Sequence, residues 1–323
     1  MVEEAKNKFG RIGVLMGGPS SEREISLKSG KGVYEAFLSK DIEVVALDIK
    51  TDNATEVIKL LRDAKIDCAF IAMHGRFGED GQIQQILDQL SIPYTGSGAL
   101  AASLAMDKIS ARKIFSSDKL PSPRYLAFES KEKAAEQIIK NLKFPVVVKP
   151  ATQGSSIGLN IAENNIDLFA ALEEAFRYDE RVLVEEFISG REITVGILDE
   201  LPLPVVEIVT KRKFFDYTAK YQAGFTEYIV PAHIDNSISV MVQELALRAH
   251  KLLGCKGFSR VDFILDDSGV AFILEINAIP GLTPFSLLPK AAAACGIDFT
   301  SLCLKLIEIA YAENKRLSCA SAS

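Results

Sequence analysis

The sequence has no apolar run approaching the roughly 18 residues that a membrane-crossing helix needs. No CxxC pair occurs among its five cysteines, at 68, 255, 295, 303 and 319. Histidines number three, His74, His233 and His250, and they are scattered. A zinc site is therefore not expected, and the thiols read as buried or incidental in a reducing cytoplasm. There is no basic excess either. Lys and Arg total 37 against 43 Asp and Glu, a net charge of -6 and a pI near 5.4. A nucleic-acid partner is disfavoured by that balance, although a phosphate-bearing ligand could still be held by a few local cations or a metal. The opening "MVEEAKNKFG" carries acidic residues and no apolar core, so no signal peptide is expected. No internal repeat and no GxxxxGK[ST] phosphate loop is found.

What remains is an ordinary globular composition, 48% apolar and 25% charged over 323 residues, enough for two or three domains. "RIGVLMGGPSSEREISLKSGKGVYEAFL" reads as strand, turn and helix, with Ser21 and Glu24 at capping-box spacing. "EVVALDI" and "DCAFIAMHG" are further strands separated by a helix over "ATEVIKLLRDA". Such alternation predicts a doubly wound parallel sheet, whose ligands gather at the carboxyl ends of the strands. Glu22 and His74 fall there. The bland readings are a first-turn acid serving the helix dipole and a core histidine.

After Met106 the pattern changes. A helix over "MDKISARKIF", a proline-marked connection "KLPSPRYLAF", a buried strand "FPVVVKP", the loop "ATQGSSIG", a helix and the strand "RVLVEEFI" suggest a small α+β unit over about 108–189. The remainder mixes strands with a helix over "SVMVQELALRAHKLLG" and a final helix. The Gly/Ser loop after Lys149 is rich in backbone donors and could fold over phosphates, or be a plain turn. Glu185, Glu186 and Glu192 flank a strand end, as a charged loop or as a hinge facing a nucleoside. "KRKFFDYTAKYQAGFTEY" reads as a packed surface loop or as a lid.

The sharpest local signal is the pair "FSRVDFIL" and "VAFILEIN" around the turn "DDSG". Pairing Leu265 with Val270 puts Val261, Phe263, Leu265, Val270, Phe272, Leu274 and Ile276 on one apolar face. Arg260, Asp262, Glu275 and Asn277 then fall on the other, at its polar end. Asp262 and Glu275 become diagonal neighbours, able to converge on one object. Oxygen donors of this kind suit Mg²⁺ completed by substrate phosphates, and Arg260 suits a phosphate or an oxyanion. A surface strand with an Arg260–Glu275 ion pair is the plain alternative.

Taken in order, "GGPSSEREISLKSG", "AMHGRFGEDG", "PYTGSG", "MDK", "VVVKPATQGSSIG", "DYTAKY", "LGCKGFSRVDF" and "LEINAIPGLTPFSLLP" resemble the D-alanine–D-alanine ligases over nearly the whole chain, to about residue 312. The resemblance implies an ATP-grasp fold, α/β and α+β, with an N-terminal doubly wound parallel-sheet domain over 1–107. A central subdomain over 108–189 and a C-terminal one over 190–323 would clasp ATP. It implies ATP phosphates on Lys108, Lys149 and the loop from Gly154 to Ser156, with Lys220 among the nucleotide contacts. Adenine and ribose would lie at Glu185, Ile188 and Glu192. Two Mg²⁺ ions, or Mn²⁺, would sit on Asp262, Glu275 and Asn277. The first D-alanine would meet Glu22 and His74, with Ser155 and Tyr221 linking Glu22 to the lid. Arg260 and the Gly281 N–H would form the oxyanion hole, and Ser286 with Leu287 would take the second carboxylate. A cytoplasmic homodimer making D-alanyl-D-alanine for peptidoglycan is implied, with no membrane or nucleic-acid partner. Phe285 in "TPFSL" and Glu186 in "VEEF" depart from the usual pattern. Rival expectations are a D-lactate- or D-serine-using ligase, and a non-catalytic nucleotide-binding relative.

Overall fold

The computed structural model describes residues 9–210 and 226–321, without side chains at 132–133 and 316–321. Its first sheet has the order β2-β1-β3, with β1 at Ile12–Gly17, β2 at Val44–Ile49 and β3 at Cys68–Ile71, all parallel. Every residue of β1 is buried, which fits a central parallel strand covered on both faces. Parallel neighbours need crossovers, and α1 (Arg23–Leu38) and α2 (Ala54–Ala64) supply them. Asn53 caps α2 by accepting from the Thr55 and Glu56 N–H groups.

The predicted cap of α1 needs correction. Its N-cap residue is Glu22, and no side chain caps it. Ser20, not Ser21, accepts from the Glu22 N–H, at 3.2 Å. The buried stripe of α1 begins with Ser26, Ser29 and Gly30 and continues through Val33, Ala36 and Phe37. Ser26 Oγ accepts from the Gly17 N–H and donates to the Ala72 carbonyl, so polar residues weld this end of α1 to the strand ends.

The second sheet is antiparallel, β4-β7-β5-β6, with β4 at Tyr125–Phe128, β5 at Val146–Pro150, β6 at Asn160–Ala162 and β7 at Val182–Glu186. The segment read as a proline-marked connection thus contains the strand β4. Helices α6 (Lys131–Asn141) and α7 (Asn165–Tyr178) cover one face, burying Val146, Val148, Val182 and Val184 with Ile138 and Leu172. The two-residue period of a strand sends the intervening Val147, Lys149, Leu183 and Glu185 to the opposite face. Lys149 pairs with Leu183 and Val147 with Glu185, so Lys149 and Glu185 are diagonal neighbours there.

The third sheet runs β11-β10-β8-β12-β13, from β8 (Arg191–Leu198), β10 (Val206–Thr210), β11 (Thr226–Ile229), β12 (Phe258–Leu265) and β13 (Ala271–Asn277), with β9 (Leu201–Pro202) on β8. One face is covered by α8 (Asn236–Leu252) and by α5 (Lys108–Ser117), whose Ala111 and Phe115 enter this core. Helices α3 (Gln82–Gln89) and α4 (Ala99–Met106) lie between the first sheet and α5 in the chain, and α9 (Leu287–Ala294) and α10 (Phe299–Ser321) close it. Leu288, Leu302 and Leu306 share a core with Val33 and Phe37, so α9 and α10 pack with α1.

The hairpin register differs from expectation. Arg260 opposes Asn277, Asp262 opposes Glu275 and Leu265 opposes Ala271, with an irregularity after Asp262. Leu274 is the residue without a counterpart. The bulge turns Phe272 and Leu274 away from the core and leaves Ala271, Ile273 and Ile276 buried. Asp262 and Glu275 are therefore directly opposite, not diagonal, which brings their Cβ atoms to roughly 4.5–5.5 Å.

Gly190 lies in the tight connection from β7 to β8, between the second and third sheets. A Cβ there would stand 2.2 Å from the Leu265 carbonyl oxygen and 2.8 Å from its carbon. Backbone cannot yield as a side-chain tip can. Gly190→Ala is expected to destabilise the protein by about 1–3 kcal/mol, read as a lower midpoint in urea; an unchanged midpoint would remove this reading.

Candidate active site

The second and third sheets face each other across a cleft of about 940 Å³, its open mouth included, within the range of small-molecule sites. Its walls include Lys108, Lys149, Ser156, Glu185, Ile188, Glu192, Asp262 and Glu275. Eight of the residues expected to meet nucleotide or metal thus lie in one place, with Glu186 beside them.

Charge in the cleft is arranged around Glu185. Its Oε1 accepts from Lys149 Nζ at 2.5 Å and its Oε2 from Arg112 Nη2 at 2.8 Å. Burial alone would raise the carboxyl's pKa, but the charges of Lys149 and Arg112 more than offset it and hold it below its usual range. Lys149 is also held below the usual lysine range. Burial is the main cause and Arg112 adds to it, against the pull of Glu185 and Glu275. Lys108 begins α5, donates to the Gln153 carbonyl at 2.7 Å and lies 3.4 Å from Glu275 Oε2. Asp107 caps this helix, accepting from the Ile109 and Ser110 N–H groups, which fixes where Lys108 begins.

Asp262 accepts from three side chains. Oδ1 accepts from Thr194 Oγ1 at 2.6 Å and Arg260 Nε at 2.8 Å; Oδ2 accepts from Arg260 Nη2 at 2.7 Å and Asn277 Nδ2 at 3.0 Å. Among the described residues no group of three or more His, Cys, Asp and Glu could hold a metal alone. Two opposed carboxylates and an amide two residues along suit a hard divalent cation that completes its shell from water and phosphate oxygens. The donor set therefore fits such an ion. Arg260 and Lys108 compensate the same two carboxylates.

The loop after β5 separates this cleft from a second group. Its Gln153, Ser156 and Ile157 line the cleft, while the Ser155 hydroxyl donates to Glu22 Oε1. A Cβ on Gly154 would stand 2.7 Å from Glu22 Oε2, so any side chain there would push the Glu22 carboxylate aside. Ser155 and Ser156 both have positive φ, 50° and 58°, a conformation that costs non-glycine residues of order 1–3 kcal/mol each.

Glu22 is buried and adjoins Gly75. His74 lies three residues past β3, with Nδ1 3.2 Å from Glu79 Oε1 and Nε2 2.9 Å from Ser29 Oγ. Burial opposes protonation of the imidazole, but the hydrogen bond and charge of Glu79 outweigh it and raise the pKa. Burial likewise raises that of Glu79, ahead of the opposing hydrogen bond from His74. Ser286 precedes α9, and its Oγ accepts from the Thr283 N–H at 3.1 Å. Leu287, the next residue, is buried, and Gly281 lies close enough that a Cβ would meet Ser286 Oγ at 3.1 Å. Lys220 and Tyr221 lie outside the described residues.

Arg112, Thr194, Glu79 and Ser29 were not singled out in the sequence. Arg112 had one available signal, its i+4 spacing from Lys108 on one helix face. Thr194 had only its place in an apolar strand.

Two antiparallel sheets closing on paired lysines and opposed carboxylates define the ATP-grasp class. The family descriptions "D-ala D-ala ligase C-terminus" and "D-ala D-ala ligase N-terminus" match residues 114–308 and 52–97. The chain is 46% identical over 310 residues to a D-alanine–D-alanine ligase of Pelotomaculum thermopropionicum, covering 93% of this chain and 96% of that one. It is 47% identical over 302 residues to that of Trichlorobacter lovleyi, covering 93% and 94%. Among solved structures, the Bacillus anthracis D-alanine–D-alanine ligase complexed with ATP superposes with a TM-score of 0.84 at 32% identity, covering 95% of this chain and 99% of that one. The VanG D-Ala:D-Ser ligase of Enterococcus faecalis superposes with a TM-score of 0.82 at 32% identity, covering 94% and 100%. The chain belongs to the D-alanine–D-alanine ligase family.

Proposed function

We propose that this chain joins two D-alanines to D-alanyl-D-alanine at the expense of ATP, for peptidoglycan precursor synthesis. The observation that carries the reading is the link between two sites. One loop lines the cleft of Lys108, Lys149, Asp262 and Glu275 and also bonds, through Ser155, to Glu22. A nucleotide's transferable phosphate and an amino acid's ammonium would so be held on either side of one short segment.

ATP would lie between the two antiparallel sheets, with Lys108, Lys149 and the Gly154–Ser156 loop on its phosphates. Glu185 and Ile188 would lie at its base and sugar, with Glu192 on the ribose. Asp262, Glu275 and Asn277 would hold Mg²⁺ or Mn²⁺, which when bound supplies charge to neutralise the phosphates. Glu22 accepts the ammonium of the first D-alanine near His74. A carboxylate oxygen of that D-alanine forms a bond to the γ-phosphorus as the bond to ADP breaks, with the lysines spreading the charge. The amine of the second D-alanine then attacks the acylphosphate carbon and loses a proton, and phosphate leaves. Arg260 and the Gly281 N–H stabilise the oxyanion between these events. The N-terminus of α9, with Ser286 and Leu287, receives the second carboxylate. Lys220 and Tyr221 would close the site and keep water from the acylphosphate.

Division into units 1–107, 108–189 and 190–323 belongs to the same reading, supported by one sheet in each, as do a cytoplasmic location and a homodimer. Among the described residues no helix is long and apolar enough to cross a membrane. Phosphate release from Mg-ATP with D-alanine, L-alanine, D-serine or D-lactate, with products identified by mass, tests the function. Release with D-alanine alone, giving D-alanyl-D-alanine, is expected. Release only when D-serine or D-lactate joins D-alanine would move the second substrate, and no release with any would overturn the reading.

A further inference from the structure

Arg112 is 1% exposed and is the largest of the fully buried side chains. It reaches from α5 to both walls of the cleft. Nη2 donates to Glu185 of β7 at 2.8 Å and Nη1 donates to the Ile273 carbonyl of β13. Its Nε has no hydrogen-bond partner. A guanidinium buried with one donor unused is a poor device for stability, since an apolar residue would cost less there. The arrangement has a consequence for Lys149. With Lys149 alone, Glu185 would form a closed ion pair and quench the only ammonium on the cleft face of β5. With Arg112 on its other oxygen, Glu185 keeps a full counter-charge when Lys149 turns to another anion.

We propose that Arg112 is a positioning residue that braces Glu185 across the cleft and so releases Lys149 to the phosphates of the bound nucleotide. The inference rests on the nucleotide reading above. Direct contact of Arg112 with the ligand is not required, because the residue acts through Glu185. Glu185, Arg112 and Glu275 act on the charge of the Lys149 ammonium, Lys108 lies against Glu275, and Arg112 is the cation that compensates Glu185 from outside the cleft lining.

The test compares ADP with adenosine in Mg²⁺ by calorimetry, directly or by competition, for the wild type, Arg112→Met, Arg112→Lys and the double variant Arg112→Met, Glu185→Gln. Arg112→Met should weaken ADP at least tenfold more than adenosine, because the lost contact is to phosphate. In the double variant no carboxylate remains to trap Lys149, so most of that tenfold difference should return. A structural role would weaken both ligands alike and would not be rescued by removing the second partner. Arg112→Lys keeps the charge but cannot bridge Glu185 and the Ile273 carbonyl together. It should lose severalfold in the same ratio, and it carries the test if Arg112→Met does not fold. An unchanged ratio in the single variants, or no recovery in the double one, overturns the proposal. A wild type that binds no ADP would instead remove the nucleotide reading.

Discussion

Glu275→Ala is expected to lower kcat by about a thousandfold or more, several kcal/mol of lost charge stabilisation at the transferring phosphoryl group. The protein should still fold. Glu275 lies on the cleft side of β13, opposite Asp262, and the core contacts of that strand come from Ala271, Ile273 and Ile276. The ladder bonds are backbone bonds and survive the substitution. What is removed is one of two carboxylates that a divalent cation can use, and the partner of Lys108 at 3.4 Å. Loss should therefore fall on turnover and on the Mg²⁺ concentration needed for it. ATP binding should suffer less, because the lysines remain. Steady-state phosphate release across a Mg²⁺ titration, with circular dichroism melting as the control for folding, separates these. Activity within a few fold of the wild type would sink the metal assignment.

The meeting of Arg260, Asp262, Glu275 and Asn277 at one end of β12 and β13 was legible in the sequence, because the polar residues there alternate with Val261 and Ile276. Legibility stopped at Leu274. A bulge costs one residue of register and leaves the polar end opposed two-for-two, while the turn end shifts. Since Phe272, Ile273 and Leu274 are all apolar, periodicity cannot say which of them faces the core. The cleft face of the second sheet was partly readable in the same way, since Lys149 and Glu185 each break an apolar strand at its end. Arg112 could not be read as part of it. Its partners lie 73 and 161 residues away, and a helix pattern says which face a residue occupies but not which strand ends will meet it. Ser29 and Glu79 escaped for the same reason, each acting only through the folded position of His74. The parallel order of the first sheet followed from strand–helix alternation and the need for crossovers. The two-residue gap between β3 and His74 did not, because strand ends are set by the neighbouring strands and not by their own sequence.

Arg260→Met is expected to lower kcat about a hundredfold to a thousandfold, the range for removing one strong donor from an oxyanion site. Arg260 has a second duty that a test must separate, since its Nε and Nη2 both donate to Asp262. Loss of that fork could loosen a metal ligand instead of an oxyanion donor. The surroundings favour the first duty, because Asp262 keeps Thr194 and Asn277 as donors when Arg260 is gone. The expected result is thus a fall in kcat with the Mg²⁺ dependence and the KM for ATP close to the wild type. Arg260→Lys retains a charge but not a planar fork, so it should rescue little. If the Mg²⁺ requirement instead rises in step with the loss of kcat, Arg260 serves chiefly to orient Asp262, and the donor to the oxyanion must be sought among the backbone N–H groups of the Ile279–Gly281 turn.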